Sequence, residues 1–310
     1  MAIPVLGTAH LFALVPPEAS ERLLRAALDL GFRAIDTAPS YGYGTSERAV
    51  GRAVRGRSYD VDVTTKVGIA ATPKPAGGVR AAKAVARRMP AGVQRRLRGP
   101  DDGRRPPEQG RFGVREVRDS VEESLRRLRR VDRLLLHEVR VDDLTDELLG
   151  HLERYLVAGD VGQLGVATGN AHTAACIARA PELLTAVNVS ISATADPVQL
   201  PASVTRRVGH GVFGAGGADL RGVQGRLRSD PSRAARWQAA TVGTPWGDSA
   251  GLADALLQRA LDTGHPDAVI LATARVDRLA RMHRVVTAGE ALPRSVSHLL
   301  DSLCDSSVVA

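Results

Sequence analysis

Asp36, Tyr41, Lys66 and His137 each stand at or just after a short run of strand character. Their types suit one chemistry. A phenol with a pKa near 10 is a poor acid-base catalyst at neutral pH. A nearby ammonium would stabilise the phenolate and lower that pKa, and a carboxylate behind the ammonium would hold it charged and in place. A histidine close to the phenol could hydrogen-bond a substrate oxygen. Such a set gives a proton to a carbonyl oxygen as hydride arrives at carbon, or removes it in reverse. No protein side chain supplies hydride, so a nicotinamide cofactor is implied.

Taken singly, each residue has an ordinary explanation. Asp36 could cap a turn, Tyr41 could pack on the surface, Lys66 could be a solvated strand end and His137 a satisfied buried histidine. Only as a set at matching strand ends do they point to catalysis. His10 and His210 also fall near strand ends, where packing or hydrogen bonding explains them better than substrate contact. Trp237 and Trp246 lie in a late irregular stretch and could anchor it or line a substrate pocket. Cys176 sits on an apolar helix face and reads as packing. No Cys/His group has metal-site spacing, so no metal is expected.

The elements that would position the set alternate strand and helix about eight times. Strands are expected within Pro4–His10, ending in Gly7-Thr8, and at Phe32–Ile35, Asp62–Lys66, Arg133–His137, Gln163–Ala167, Ala186–Ile191, Arg207–Phe213 and Asp267–Ala272. Helices are expected at Glu18–Leu30, Thr45–Val54, Val114–Leu128, Asp143–Ala158, Ala171–Ala180, Gly251–Thr263, Val276–Ala288 and Pro293–Leu303. Spacings near 30 residues give the rhythm of a parallel (β/α)8 TIM barrel, an α/β fold with its chemistry on the loops after the strands. A doubly wound sheet is the rival; it would prefer a G-x-G-x-x-G turn, and Gly42-Tyr-Gly44 lacks the third glycine.

The chain of 310 residues is read as a single barrel domain over 1–310, with a long basic insertion at about 69–113 after the third strand. From Val79 to Arg111 ten basic residues face three acidic ones, a local charge of +7 within an overall +8. The remainder is nearly neutral, which argues against a general nucleic-acid face. The insertion reads either as a solvated excursion or as a lid that attracts an anionic substrate or a carrier-protein partner. Lysine occurs only at Lys66, Lys74 and Lys83. A lysine at a strand end is therefore informative, since arginine cannot shift its pKa into a useful range. Two cysteines are too few for a disulfide framework. No apolar run reaches the roughly 18 residues of a membrane span. The N-terminus lacks a signal pattern, so a cytoplasmic protein is expected.

The run Gly31-Phe-Arg-Ala-Ile-Asp-Thr-Ala-Pro-Ser-Tyr-Gly, with Ser46-Glu47, Thr65-Lys66 and Leu136-His137-Glu138, resembles the aldo-keto reductase superfamily. Gly7-Thr8-Ala9 resembles its first-strand turn and Leu164-Gly-Val-Ala167 its fifth strand. Within the superfamily the pattern is most similar to the bacterial sugar-dehydrogenase and pyridoxal-reductase branches. The resemblance implies Tyr41 as proton donor, Lys66 and Asp36 as its tuning pair, His137 as the orienting group, NADP(H) or else NAD(H) as cofactor, and a small carbonyl or alcohol as substrate.

The cofactor positions depart from that pattern. The family's Ser-Asn after the fifth strand reads Ala167-Thr168, with Gly169-Asn170 behind it. The Gln of the sixth strand is replaced within Val187-Asn188-Val189-Ser190, and the closing Asn of the adenosine-phosphate loop is lost after Thr273-Ala274-Arg275. The expected cofactor contacts are therefore Gly7, Thr8, Thr168, Asn170, Asn188, Thr273 and Arg275, the last two holding a phosphate at a helix N-terminus. Two other readings fit the same residues: a nicotinamide-binding regulatory or sensor protein without turnover, and a cofactor-free lyase or isomerase using Tyr41 and Lys66.

Overall fold

The computed structural model describes residues 1–12, 15–56, 61–71 and 110–304. Most of the basic insertion, including Val79–Met89, whose sequence could form a short helix, lies outside the described residues. Eight parallel strands close into a barrel in sequence order. They are β1 (Ile3–Gly7), β2 (Ala34–Asp36), β3 (Asp62–Val67), β4 (Val131–His137), β5 (Val161–Ala167), β6 (Leu184–Ser190), β7 (Arg206–His210) and β8 (Ala268–Leu271). β8 closes on β1 through the register Ile3↔Ala268 to Leu6↔Leu271.

Period-two alternation decides which strand side chains face the helices and which face the barrel axis. Leu134 and Leu136 join the large core between barrel and helices, whereas Leu135 packs with Ala167 and Ala186 in a separate inner cluster. Likewise Leu6, Ile35, Val187 and Val189 point outward, and Val5, Ala34, Val208 and Ala268 form a second inner cluster. The same parity turns Asp36, Lys66, His137, Asn188 and His210 inward. The inner apolar residues are mostly Ala and Val, so the axis is filled without crowding those polar groups.

Around the barrel run α1 (Pro17–Asp29), α2 (Ser46–Ala53), α3 (Val114–Leu128), α4 (Asp146–Val157), α5 (Asn170–Arg179), α6 (Ala218–Ser229), α7 (Pro231–Thr241), α8 (Gly251–Gly264), α9 (Val276–Ala288) and α10 (Arg294–Cys304). α1 is typical: Leu23, Leu24, Ala27 and Leu28 are its buried stripe. α6 and α7 replace what the sequence led us to expect as an irregular Gly- and Arg-rich stretch. Pro231 opens α7, and the Asp230 side chain accepts from the N–H groups of Ser232 and Arg233. That is a strong start signal, which arginine and glycine on either side had diluted. β1 stops at Gly7, as expected, but one strand end shifts: β7 stops at His210, where Gly211 turns the chain at φ 72°. α4 begins three residues later than expected because Thr145 is its cap, accepting from Leu148 N–H at 3.2 Å.

The two ends of the insertion meet beside the barrel. Arg111 N–H donates to Gly68 O at 2.9 Å. Phe112 lies against Gly68, where a Cβ would come within 2.5 Å of its ring.

Candidate active site

The inward parity and shared height of the strand ends bring the four chemical residues together. Lys66 Nζ donates to Asp36 Oδ1 at 2.5 Å and to the Thr37 carbonyl at 3.0 Å. Both side chains are buried, 3% and 5% exposed. The ammonium lies 4.7 Å from the centre of the Tyr41 ring. His137 meets that ring edge-on, with centroids 6.1 Å apart. Tyr41 opens a tight turn, Tyr41–Gly44, in which Gly42 and Tyr43 are both left-handed at φ 57°. Only glycine fits at 42, since a Cβ there would stand 2.6 Å from that of Phe12.

A layer beneath fixes this arrangement. Thr8 Oγ1 donates to Asp36 O at 3.0 Å, Ser46 Oγ donates to Thr8 Oγ1 at 2.9 Å, and the Thr37 and Ser46 hydroxyls lie 3.0 Å apart. Glu47 is buried and accepts from Thr65 Oγ1 at 2.6 Å, Ser124 Oγ at 2.8 Å and Arg127 at 2.9 Å. Ser46 and Glu47 thus tie α2 to the strands carrying Asp36 and Lys66, and to α3. They position the site without entering it.

The electrostatics differ from expectation at one point. Burial raises the Tyr41 pKa above 10, outweighing the downward pull of Lys66. The lowering expected from a neighbouring ammonium is present, but desolvation of the phenolate exceeds it. The phenol is therefore firmly protonated. For Lys66 burial disfavours the charge, but Asp36 and Tyr41 together more than offset it and leave the pKa above the ordinary lysine value. Burial, with help from Lys66 and His210, pushes His137 down to about 3, so its imidazole is neutral at physiological pH.

These groups line a cavity of about 510 Å³ at the strand C-termini. Of the expected cofactor residues, Gly7, Thr168, Asn170 and Asn188 share that lining. A Cβ at Gly7 would press to 2.5 Å from Ile270. Asn170 clamps the end of β6, its side chain donating to Ser190 O and accepting from Ser190 N, both at 2.9 Å. Asn188 donates to Asp36 Oδ2 at 2.9 Å, so this carboxylate is held from both sides. Thr8 lies fully buried below the cavity. Thr273 and Arg275 stand before α9, outside the lining, where Arg275 Nε donates to Asp277 at 3.0 Å. His10 and His210 do line the cavity, whereas neither tryptophan does; Trp246 is core.

One feature went unread in the sequence. Between β7 and α6, Gly211, Gly214, Gly216 and Gly217 all take positive φ, and the first three line the cavity. Within it Gly214 N–H donates to Gly211 O and Gly217 N–H to Gly214 O, and the Asp219 carboxyl lies against Gly214; what the turn brings to the mouth is the N-terminus of α6, a place that suits an anion such as a dinucleotide pyrophosphate. Four glycines within seven residues after a strand were the available signal. Together with Gly7 and Thr168, this cradle fits a nicotinamide dinucleotide laid across the mouth.

Residues 5–198 match the aldo/keto reductase family, a stretch that includes Asp36, Tyr41, Lys66 and His137. The chain belongs to this family. It is 32% identical over 179 residues to D-threo-aldose 1-dehydrogenase of a Pseudomonas species, covering 54% of this chain and 50% of that protein. It is 40% identical over 75 residues to pyridoxal 4-dehydrogenase of Microbacterium luteolum, covering 23% and 22%. The matches thus span half or less of the relatives' lengths. Among solved structures, a glycerol dehydrogenase of Gluconobacter oxydans superposes with a TM-score of 0.64 at 19% identity, over 97% of this chain and 90% of that one. An aldo/keto reductase of Klebsiella pneumoniae, solved with NADP and acetate, gives 0.62 at 19%, over 97% and 90%. The aldo/keto reductase barrel fold is therefore secure in this chain. Among the described residues no helix is long and apolar enough to cross a membrane.

Proposed function

We propose that this protein is a nicotinamide-dependent oxidoreductase that interconverts a small carbonyl compound and its alcohol. The observation that carries the reading is the buried Lys66–Asp36 pair set under the Tyr41 ring beside a neutral His137. In the reductive direction the substrate carbonyl oxygen accepts hydrogen bonds from the Tyr41 hydroxyl and from a His137 ring N–H. The Tyr41 proton passes to that oxygen, and Lys66 stabilises the phenolate left behind, in a site dry enough to make its charge count. Asp36, held by Asn188 on its other oxygen, keeps Lys66 in place. A bound nicotinamide supplies the hydride. NADP(H) is the favoured cofactor, with NAD(H) the alternative; the structural neighbour from Klebsiella pneumoniae, solved with NADP, supports it.

The test is Tyr41→Phe, assayed with a panel of aldehydes and titrated with NADPH and NADH by fluorescence. Removing the general acid should lower kcat by roughly 10²–10⁴-fold while cofactor affinity stays within threefold. Full activity would refute the assigned donor. A second reading rests on how many cofactor candidates are already engaged: Asn170, Asn188 and Arg275 all have protein partners. A nicotinamide-binding sensor would bind cofactor in the wild-type chain yet turn over no member of the panel.

A further inference from the structure

The strand parity that aims Lys66 and His137 inward at the mouth also governs the opposite end of the barrel. Arg133 stands two residues before Leu135 on β4, and Arg206 two before Val208 on β7. Leu135 and Val208 both belong to inner clusters, so the two arginines face the axis as well. Asp62 on β3 and Gln163 on β5 share that parity with Lys66 and Ala167. Register sets Arg133 level with Thr64 on one side and Gln163 on the other. The result is a polar layer at the strand N-termini, four residues of strand or roughly 13 Å below the mouth. This end is not sealed: Ile3, inward on β1, is 42% exposed.

The two arginines are partnered unequally. Arg133 Nε donates to Thr64 Oγ1 at 3.2 Å and its Nη2 to Asp62 Oδ2 at 3.0 Å. Arg206 makes no side-chain hydrogen bond or ion pair among the described residues, and its Nε is buried without an acceptor. Asp62 and Asp267 attract it from further away, but burial and Arg133 outweigh them and lower its pKa. Both carboxylates are engaged elsewhere. Asp62 holds Arg133, and Asp267, outside the layer by parity, accepts from Arg207 N–H at 2.6 Å. Gln163 Nε2 donates to the Thr185 and Thr205 hydroxyls, both at 3.0 Å, and so fixes the wall between the arginines.

Arginine cannot shed its proton to escape burial. An amide or apolar side chain would fill this strand end without a desolvated, unpaired charge. What Arg206 lacks is acceptor oxygens. Its planar fork matches two oxygens of one anion, and Arg133 Nη1, unused among the described residues, suits a third. Three oxygens in that arrangement exceed what a planar carboxylate carries. With Asp62 counted, the inward layer keeps one net positive charge.

We propose that the N-terminal end of the barrel is an anion site, in which Arg206 grips two oxygens of a small tetrahedral oxyanion of the phosphate or sulfate class and Arg133 a third. The anion joins β4 to β7, strands that are not neighbours in the barrel. The site is separate from the mouth and independent of the oxidoreductase reading.

The experiment titrates the full chain and Arg206→Gln with sodium phosphate by calorimetry, chloride keeping the ionic strength constant; sulfate and acetate follow. R206Q should bind phosphate about ten- to a hundredfold more weakly than the wild type, the range for lost hydrogen bonds to a charged group. Sulfate should compete with phosphate, and acetate should bind more weakly than either. Phosphate should raise the melting temperature of the wild type more than that of R206Q, since a ligand of the native state stabilises it. Equal affinity in the two proteins would place any bound phosphate elsewhere, the mouth included, and overturn the assignment. No phosphate binding by the wild type would overturn it too, and acetate binding as tight as phosphate would overturn the tetrahedral class. Should R206Q fold poorly, Arg206→Lys keeps the charge but loses the fork, and should still weaken phosphate by about tenfold; wild-type affinity in R206K would refute the grip.

Discussion

Removing both members of the Lys66–Asp36 pair should cost no more than removing one. The two groups lie 2.5 Å apart with almost no exposure. Lys66→Met would leave the Asp36 carboxylate in the barrel with only the Asn188 amide for support. Asp36→Asn would leave the ammonium with only the Thr37 carbonyl and the Tyr41 ring. A stranded buried charge costs about 3–5 kcal/mol, so each single variant should lose that much. Independent effects would sum to roughly 6–10 kcal/mol in the double variant. The structure instead predicts a double variant no less stable than the worse single one, because it strands no charge, giving a coupling of at least about 3 kcal/mol. Urea unfolding followed by far-ultraviolet circular dichroism and by tryptophan fluorescence would measure all four proteins. Additivity within about 0.5 kcal/mol would refute the buried pair and, with it, the placement of Lys66 beneath Tyr41. Activity should be lost in all three variants, so stability and turnover must part company in the double variant.

Two further outcomes follow from the site. Because the folded-state pKa of His137 is depressed to about 3, the unfolded chain takes up a proton below about 6.5 that the native state refuses until about 3. Stability therefore falls as pH drops through that window, by up to about 1.4 kcal/mol per pH unit. His137→Gln should lose less stability between pH 7 and 5 than the wild type in matched urea titrations; parallel losses would contradict the buried neutral imidazole. Gly42→Ala places a methyl group 2.6 Å from Phe12 Cβ at φ 57°. It should lower kcat at least tenfold by displacing Tyr41, along with a fall in Tm of several degrees; a kinetically normal variant would show that this turn does not aim the phenol.

The barrel was legible because eight strand-helix repeats leave little else to build, and its catalytic candidates because they end successive strands. In Asp62-Val-Thr-Thr-Lys-Val, alternation shows Lys66 facing away from the side of Val63 and Val67. The run Leu134-Leu-Leu offers no alternation, so the inward aim of His137 emerges only once Leu135 is seen in the inner cluster. That Asn188 also holds Asp36 was hidden because the two lie 152 residues apart. No local pattern carries that information. Ser46 and Glu47 read only as part of the family resemblance, and their role as clamps appears with their contacts. The left-handed backbone of Glu138, at φ 58°, was hidden because residue type does not encode it. Nor can sequence weigh burial against a neighbouring charge, which is why Tyr41 moved opposite to expectation.

The bond from Arg111 to Gly68 works like a hinge pin for a replaceable module. With that junction closed, the strand bearing Lys66 and the helix that follows keep their spacing whatever length of chain is spliced between them, since each doubling of a loop costs only about 0.6 kcal/mol in closure. A chain built on this plan can therefore lengthen, shorten or replace the segment between these two residues while the strand that carries Lys66 is inherited unchanged.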